Sequence, residues 1–170
     1  DDNGCEAQSS ATITEPNVLV ATATDVDQNN FGISCHGADD GVINLLVDGG
    51  TFPNYTVVWS NGETTDNITG LSANTYQVTV TDDNGCTDQS SALITEPDVL
   101  VATATVDTDF STYGVSCNGS SNGEIILNVT GGAGGNEFSW TNTSQTTANI
   151  TGLSANTYQV TVTDDNGCTD

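Results

Sequence analysis

The chain repeats itself. An Asp-Asp-Asn-Gly-Cys run at residues 1–5 recurs at residues 82–86 and 164–168, which sets a period of 81 or 82 residues. Thr14-Glu15-Pro16 returns as Thr95-Glu96-Pro97, Cys35 as Cys117 and Trp59 as Trp140, and residues 67–88 are identical to residues 149–170. A period near 80 is too long for one turn of a solenoid and suits one β-sandwich domain. Two tandem modules therefore account for the chain, over residues 17–97 and 98–170. Residues 1–16 copy residues 82–97 and stand in front as an extra strand.

Within a module, alternating apolar residues bounded by turn signals predict strands. The first module reads as strand A over 18–24, B over 42–47, C over 55–59, a short C′ or E piece over 65–68, F over 75–81 and G over 91–95. Gly49-Gly50, Asn61-Gly62 and Asn84-Gly85 supply the turns. No stretch sustains a 3.6-residue period, and the Thr-rich β-branched runs oppose a helix. No apolar run approaches the roughly 20 residues that span a bilayer.

Leu71 through Val78 have the spacing of a tyrosine corner, with Tyr76 near the start of strand F, and Tyr158 repeats the arrangement. Trp59 and Trp140 fall on strand C, where immunoglobulin-like sandwiches keep a core Trp. The expected fold is thus all-β: two tandem immunoglobulin-like β-sandwich domains preceded by a G-type strand over residues 1–16. The second module, ending at residue 170, lacks its own G strand. Its open edge is filled either by the next residues of a longer polypeptide or by residues 1–16 of another copy, through donor-strand complementation. Both arrangements lead to a head-to-tail fibre.

Ser34-Cys35-His36-Gly37, Asp40-Gly41, Gly49-Gly50, Trp59-Ser60-Asn61-Gly62, Gly70-Leu71, the run from Thr75 to Asp82, Asn84-Gly85-Cys86 and Ile94-Thr95-Glu96-Pro97 form a combined signature. It resembles the SprB-type repeat of Bacteroidetes surface adhesins. The second copy matches through Ser116-Cys117-Asn118-Gly119, Asn122-Gly123 and Gly131-Gly132, and departs from it after Trp140. The resemblance implies an extracellular repeat in a long surface or secreted protein, without enzymatic activity.

Five cysteines in such a protein point to disulfides. Cys5, Cys86 and Cys168 are copies of one position, and Cys35 and Cys117 of another. Cys86 lies ten residues past Tyr76, roughly 33 Å along a strand at about 3.3 Å per residue, and so at the far end of the module from the corner. Cys35 precedes strand B near the corner end. A Cys35–Cys168 bridge across the junction is then feasible. The intradomain pairs Cys35–Cys86 and Cys117–Cys168 remain the alternative, leaving Cys5 for an outside partner.

The chain holds 23 Asp plus Glu, one His and no Lys or Arg, a formal charge of −23. It has no cationic surface for phosphates, which argues against nucleic-acid and anionic-membrane partners. Asp25, Asp27, Asp82, Asp83, Asp107 and Asp109 are candidate calcium ligands, set against a reading as solvated acidic turns. Calcium is the one candidate cofactor. Asn54, Asn67, Asn118, Asn128, Asn142 and Asn149 head glycosylation sequons, so a glycan coat is expected as a candidate feature.

The expected function is the structural repeat unit of an extracellular or cell-surface filament or adhesin shaft whose partners are copies of itself. The alternative is a carbohydrate- or surface-binding module using Trp59, Trp140, Tyr55 or Phe138. An enzyme is not expected: His36 is replaced by Asn118 in the second copy, and no nucleophile motif appears.

Overall fold

Eleven strands follow the apolar alternation along the chain in the computed structural model, which describes residues 8–51, 54–107 and 113–170. In the first repeat these are β1 (Val20–Asp25), β2 (Gly41–Asp48), β3 (Tyr55–Trp59), β4 (Ile68–Leu71), β5 (Asn74–Asp82) and β6 (Thr87–Ile94). The second repeat carries β7 (Val101–Val106), β8 (Ser121–Thr130), β9 (Asn136–Trp140), β10 (Ile150–Ser154) and β11 (Val160–Asp164). Every strand pairing is antiparallel. No helix occurs among the described residues.

The first repeat has two three-stranded sheets, β1-β2-β4 and β3-β5-β6, and the second has β10-β8-β7 and β11-β9. Side chains alternate along each strand because the pleat points them to opposite faces. On β5, Tyr76, Val78, Val80 and Asp82 are buried while Thr75 and Gln77 are exposed. One apolar cluster draws on both sheets of the first repeat, with Ile43, Trp59, Ile68, Val78 and Ile94 at its centre. A second cluster, around Ile125, Trp140, Ile150 and Val162, serves the second repeat.

Trp59 and Trp140 are 2% and 7% exposed, and their indole N–H groups donate to the carbonyls of Thr65 and Thr147, each at 2.9 Å. A buried Trp thus has its one donor satisfied. The Tyr76 hydroxyl donates to the Ser72 carbonyl at 3.1 Å, and Tyr158 does the same to Ser154, which closes the corner in both repeats.

The paired glycines after β2 are required sterically. Gly49 has φ of 71°, and a Cβ there would sit 1.8 Å from the Val18 carbonyl oxygen; Gly131 repeats the geometry against Val99. Only a residue without Cβ permits this approach of two backbones.

Three expectations shift. The short piece expected over 65–68 lies at Ile68–Leu71 instead. Thr65 is diverted from a ladder because its hydroxyl donates to the Asn67 carbonyl and its own carbonyl accepts from Trp59. Strand G starts earlier than residue 91, at Thr87, because the Asn84-Gly85 turn lets pairing begin at Thr81–Thr87. Residues 8–16 form no strand within this chain, and residues 1–7 lie outside the described residues.

Trp59→Ala is expected to lower stability by about 3–5 kcal/mol, the usual cost of truncating a fully buried aromatic. Urea unfolding followed by circular dichroism measures it, and an unchanged midpoint would contradict the core position of Trp59.

Candidate functional site

Two features stand out: a covalent junction between the repeats and, among the described residues, an edge of β11 that is only partly paired. At the junction, Cys35 of the first repeat is disulfide-bonded to Cys168 of the second, with Cα atoms 5.7 Å apart. Asn166, in the same turn as Cys168, donates from its side-chain amide to the carbonyl of Ser34 at 2.9 Å and contacts the side chain of Asn29. The bridge is therefore set in a polar contact between two preformed loops.

Each loop is held by a side-chain oxygen. The Asp40 carboxylate accepts from the Ser34 amide at 3.0 Å, and the Cys35 carbonyl accepts from Ala38. The Ser34 hydroxyl, opposed by partial burial and aided by the Ser34 amide, holds the Asp40 carboxyl below the ordinary carboxylate range. On the other side, the Asp164 carboxylate accepts from the amides of Asn166 and Cys168 at 3.0 and 2.9 Å.

The intradomain pairs are not formed, because a strand separates them. Ile33 donates to the Thr95 carbonyl at 3.2 Å, which places the Cys35 loop beside the end of β6. Cys86 lies before the start of β6, eight residues long, so the two cysteines are roughly 25 Å apart at about 3.3 Å per residue. A disulfide needs Cα atoms closer than about 7 Å. Cys86 and Cys117 are free and exposed. Cys5 lies outside the described residues.

The aspartates proposed for calcium do not converge. Among the described residues no group of three or more His, Cys, Asp or Glu is placed to hold a metal ion. Asp82 is committed to backbone: its carboxylate accepts from the amides of Thr51, Asn84 and Cys86 at 2.9, 3.0 and 2.8 Å. Burial works against its ionisation, and the amides of Cys86, Thr51 and Asn84 outweigh burial, so its carboxyl is held below the ordinary carboxylate range. Asp83 accepts from the Asn54 amide at 3.4 Å. Asp25 ends β1, Asp27 precedes the tight turn at Asn29 and Asn30, and Asp107 donates its amide to the Glu124 carbonyl. Asp109 lies outside the described residues.

The unfinished edge is seen by comparing identical sequence. Residues 74–77 are strand in the first repeat, paired with Ile94, Leu93, Ala92 and Ser91 of β6, whereas their copies at 156–159 are not strand. Local propensity is the same, so the partner strand decides. Among the described residues only Thr169 and Asp170 accompany β11 on that side: Asp170 exchanges both backbone hydrogen bonds with Val162, at 2.9 and 3.1 Å. Its carboxylate also accepts from the Ala102 amide, as Asp88 accepts from Ala21 in the first repeat.

Beyond Asp170 a cavity of about 230 Å³ opens between Val106, Gly114, Val115, Ile125, Leu153 and Tyr158. Gly114 is the copy of Gly32, whose nearest neighbour in the first repeat is the side chain of Ile94. Ile94 is 1% exposed there. The cavity is thus the seat that Ile94 fills in the first repeat. The copy of Ile94 in the N-terminal segment, Ile13, is 98% exposed.

The six sequon asparagines are all exposed. Asn67 and Asn149 use their side-chain oxygens to accept from the Leu45 and Leu127 amides, and the Asn142 side-chain amide donates to the Thr157 carbonyl at 2.8 Å. Of the aromatics considered for binding, Trp59 and Trp140 are buried, Phe138 is half-buried, and Tyr55 is half-buried with its hydroxyl donating to the Gly49 carbonyl at 2.6 Å. None of them forms an exposed platform.

The family model described as SprB repeat matches residues 33–64 and 111–145, one stretch in each copy. Both stretches are similar to the SprB repeat. The matched stretches contain both loop cysteines, Cys35 and Cys117, and both core tryptophans. SprB repeats are associated with cell-surface proteins. No curated protein matches the chain.

Replacing Asp82 by Asn puts a side-chain N–H where an amide donor already points, so the variant is expected to be less stable. The depressed carboxyl contributes stability above about pH 4, the unfolded value, and loses it as pH falls through the folded value. The difference in unfolding free energy between wild type and Asp82→Asn should be constant from pH 7 to about pH 5 and shrink below about pH 4. A difference that grows in acid would contradict the assignment.

Proposed function

We propose that the chain is the structural repeat unit of an extracellular filament or adhesin shaft, built from tandem immunoglobulin-like sandwiches and joined head to tail. The observation that carries this reading is the open edge of β11 together with an exposed, unpaired segment of matching pattern at residues 8–16. Asp170 holds the place of Asp88, and Gln8 is the copy of Gln89, so residues 8–16 continue the register where Asp170 leaves it. Ala11, Ile13 and Pro16 copy Ala92, Ile94 and Pro97, all buried in the first repeat. Thr12 replaces Leu93, which faces solvent there.

In this reading residues 8–16 of one copy add to β11 of the preceding copy, seat Ile13 in the 230 Å³ cavity and complete the sheet by strand addition. In a longer polypeptide the next repeat would supply the same strand. The contact is heterologous and propagates. The role is mechanical and not catalytic, its partners are copies of the chain, and it needs no cofactor. A disulfide at the repeat junction suits an oxidising, extracellular setting.

Ile13→Asp tests donation directly. Because Ile13 is 98% exposed in the single chain, the substitution should leave the melting temperature of dilute monomer unchanged. Burying an Ile is worth about 1.5–3 kcal/mol, so head-to-tail association should weaken by at least about tenfold in sedimentation and electron microscopy. A variant that assembles as well as wild type would contradict the reading.

A further inference from the structure

The bonded pair at the junction defines what the two free cysteines are for. We propose that Cys117 of one copy forms a disulfide with Cys86 of the copy that follows it, so that every junction along the assembly is covalently closed. Cys35 and Cys168 join the loop of one repeat to the turn at the near end of the next. Advanced by one repeat, the same relation joins Cys117 to the corresponding turn of a following first repeat, which holds Cys86.

Both halves are already in bonding form. The Cys117 loop has the frame of the Cys35 loop: Ser116 donates its amide to the Asn122 side chain at 3.2 Å and Ser120 to the Cys117 carbonyl at 3.1 Å, matching Ser34–Asp40 and Ala38–Cys35. The Cys86 turn has the frame of the Cys168 turn, with Asp82 accepting from Asn84 and Cys86 at 3.0 and 2.8 Å as Asp164 accepts from Asn166 and Cys168. Asn84 then stands where Asn166 grips Ser34, facing the copy's counterpart, Ser116. Both thiols are exposed.

Within one chain the two thiols cannot meet. The Cys35 loop faces the second repeat and the Cys86 turn lies roughly 25 Å away across β6, at about 3.3 Å per residue over eight residues. By the same layout Cys117 faces away from the first repeat. The bond requires a second copy. Two thiols lose two protons and two electrons to a small-molecule disulfide such as oxidised glutathione, which leaves as two thiols.

The inference rests on the head-to-tail stacking proposed above, and the test separates the two. In a Cys5→Ser background, Cys86→Ser and Cys117→Ser chains are oxidised with glutathione disulfide alone and mixed, then run without reductant. Each variant alone should remain monomeric, the mixture should stop at dimers, and the Cys5→Ser parent should give a ladder. Cleavage at the aspartates separates the Cys86 and Cys117 peptides, and these two should be recovered joined. Dimers from either variant alone mean symmetric pairing and overturn the bond. Chains that assemble under reductant yet never bond Cys86 to Cys117 also overturn it and leave the stacking standing. Copies that neither assemble nor bond overturn both.

Discussion

The hydrogen-bonded pairing of β5 with β6 is the interaction on which the rest depends. β6 covers the outer edge of β5, delivers Ala92 and Ile94 to the core, and offers Asp88 and Ser90 to the amides of Ala21 and Ala23 on β1, at 2.8 and 3.0 Å. One strand thereby closes one sheet and ties it to the other. Where that strand is missing, an identical 22-residue sequence behaves differently: Tyr76 is buried and Tyr158 is half-buried, and strand begins at Asn74 in one copy and at Val160 in the other. Sheet formation here is a property of the pair and not of the segment.

Much of this was legible in the sequence because repetition supplied an internal control. The tyrosine corner, the core tryptophans and the Gly49-Gly50 turn all follow from spacing and period. The rest depended on direction and side-chain competition. β4 is displaced because the Thr65 hydroxyl bonds locally to the Asn67 carbonyl, a preference that apolar alternation does not reveal. The acidic pairs read as metal ligands because oxygen ligands and turn caps have the same composition. Asp82 and Asp164 spend their oxygens on three amides each. The disulfide needed the strand map: once the loop and turn lie at opposite ends of a repeat, only the cross-junction pair is within reach.

A chain of charge −23 without Lys or Arg cannot be held by conventional ion pairs. Its carboxylates instead accept from backbone N–H groups, which satisfies buried donors and anchors turns at the same time. The remaining surface charge is mutually repulsive, and dissolved cations screen it. Against that repulsion, the proposed head-to-tail growth would rely on backbone ladder bonds, a seated Ile and covalent closure, none of which needs charge complementarity. These are also interactions suited to a shaft that bears load along its axis.

In the proposed assembly the edge of β11 accepts a strand of the residue 8–16 pattern. That acceptance is tested most directly by titrating a synthetic peptide of residues 8–16 into dilute full-length chain and following backbone amides by NMR. One peptide is expected to bind per chain, with residues 156–160 becoming protected from exchange while their identical counterparts at 74–78 are unchanged. Binding elsewhere, or no new protection at 156–160, would contradict it.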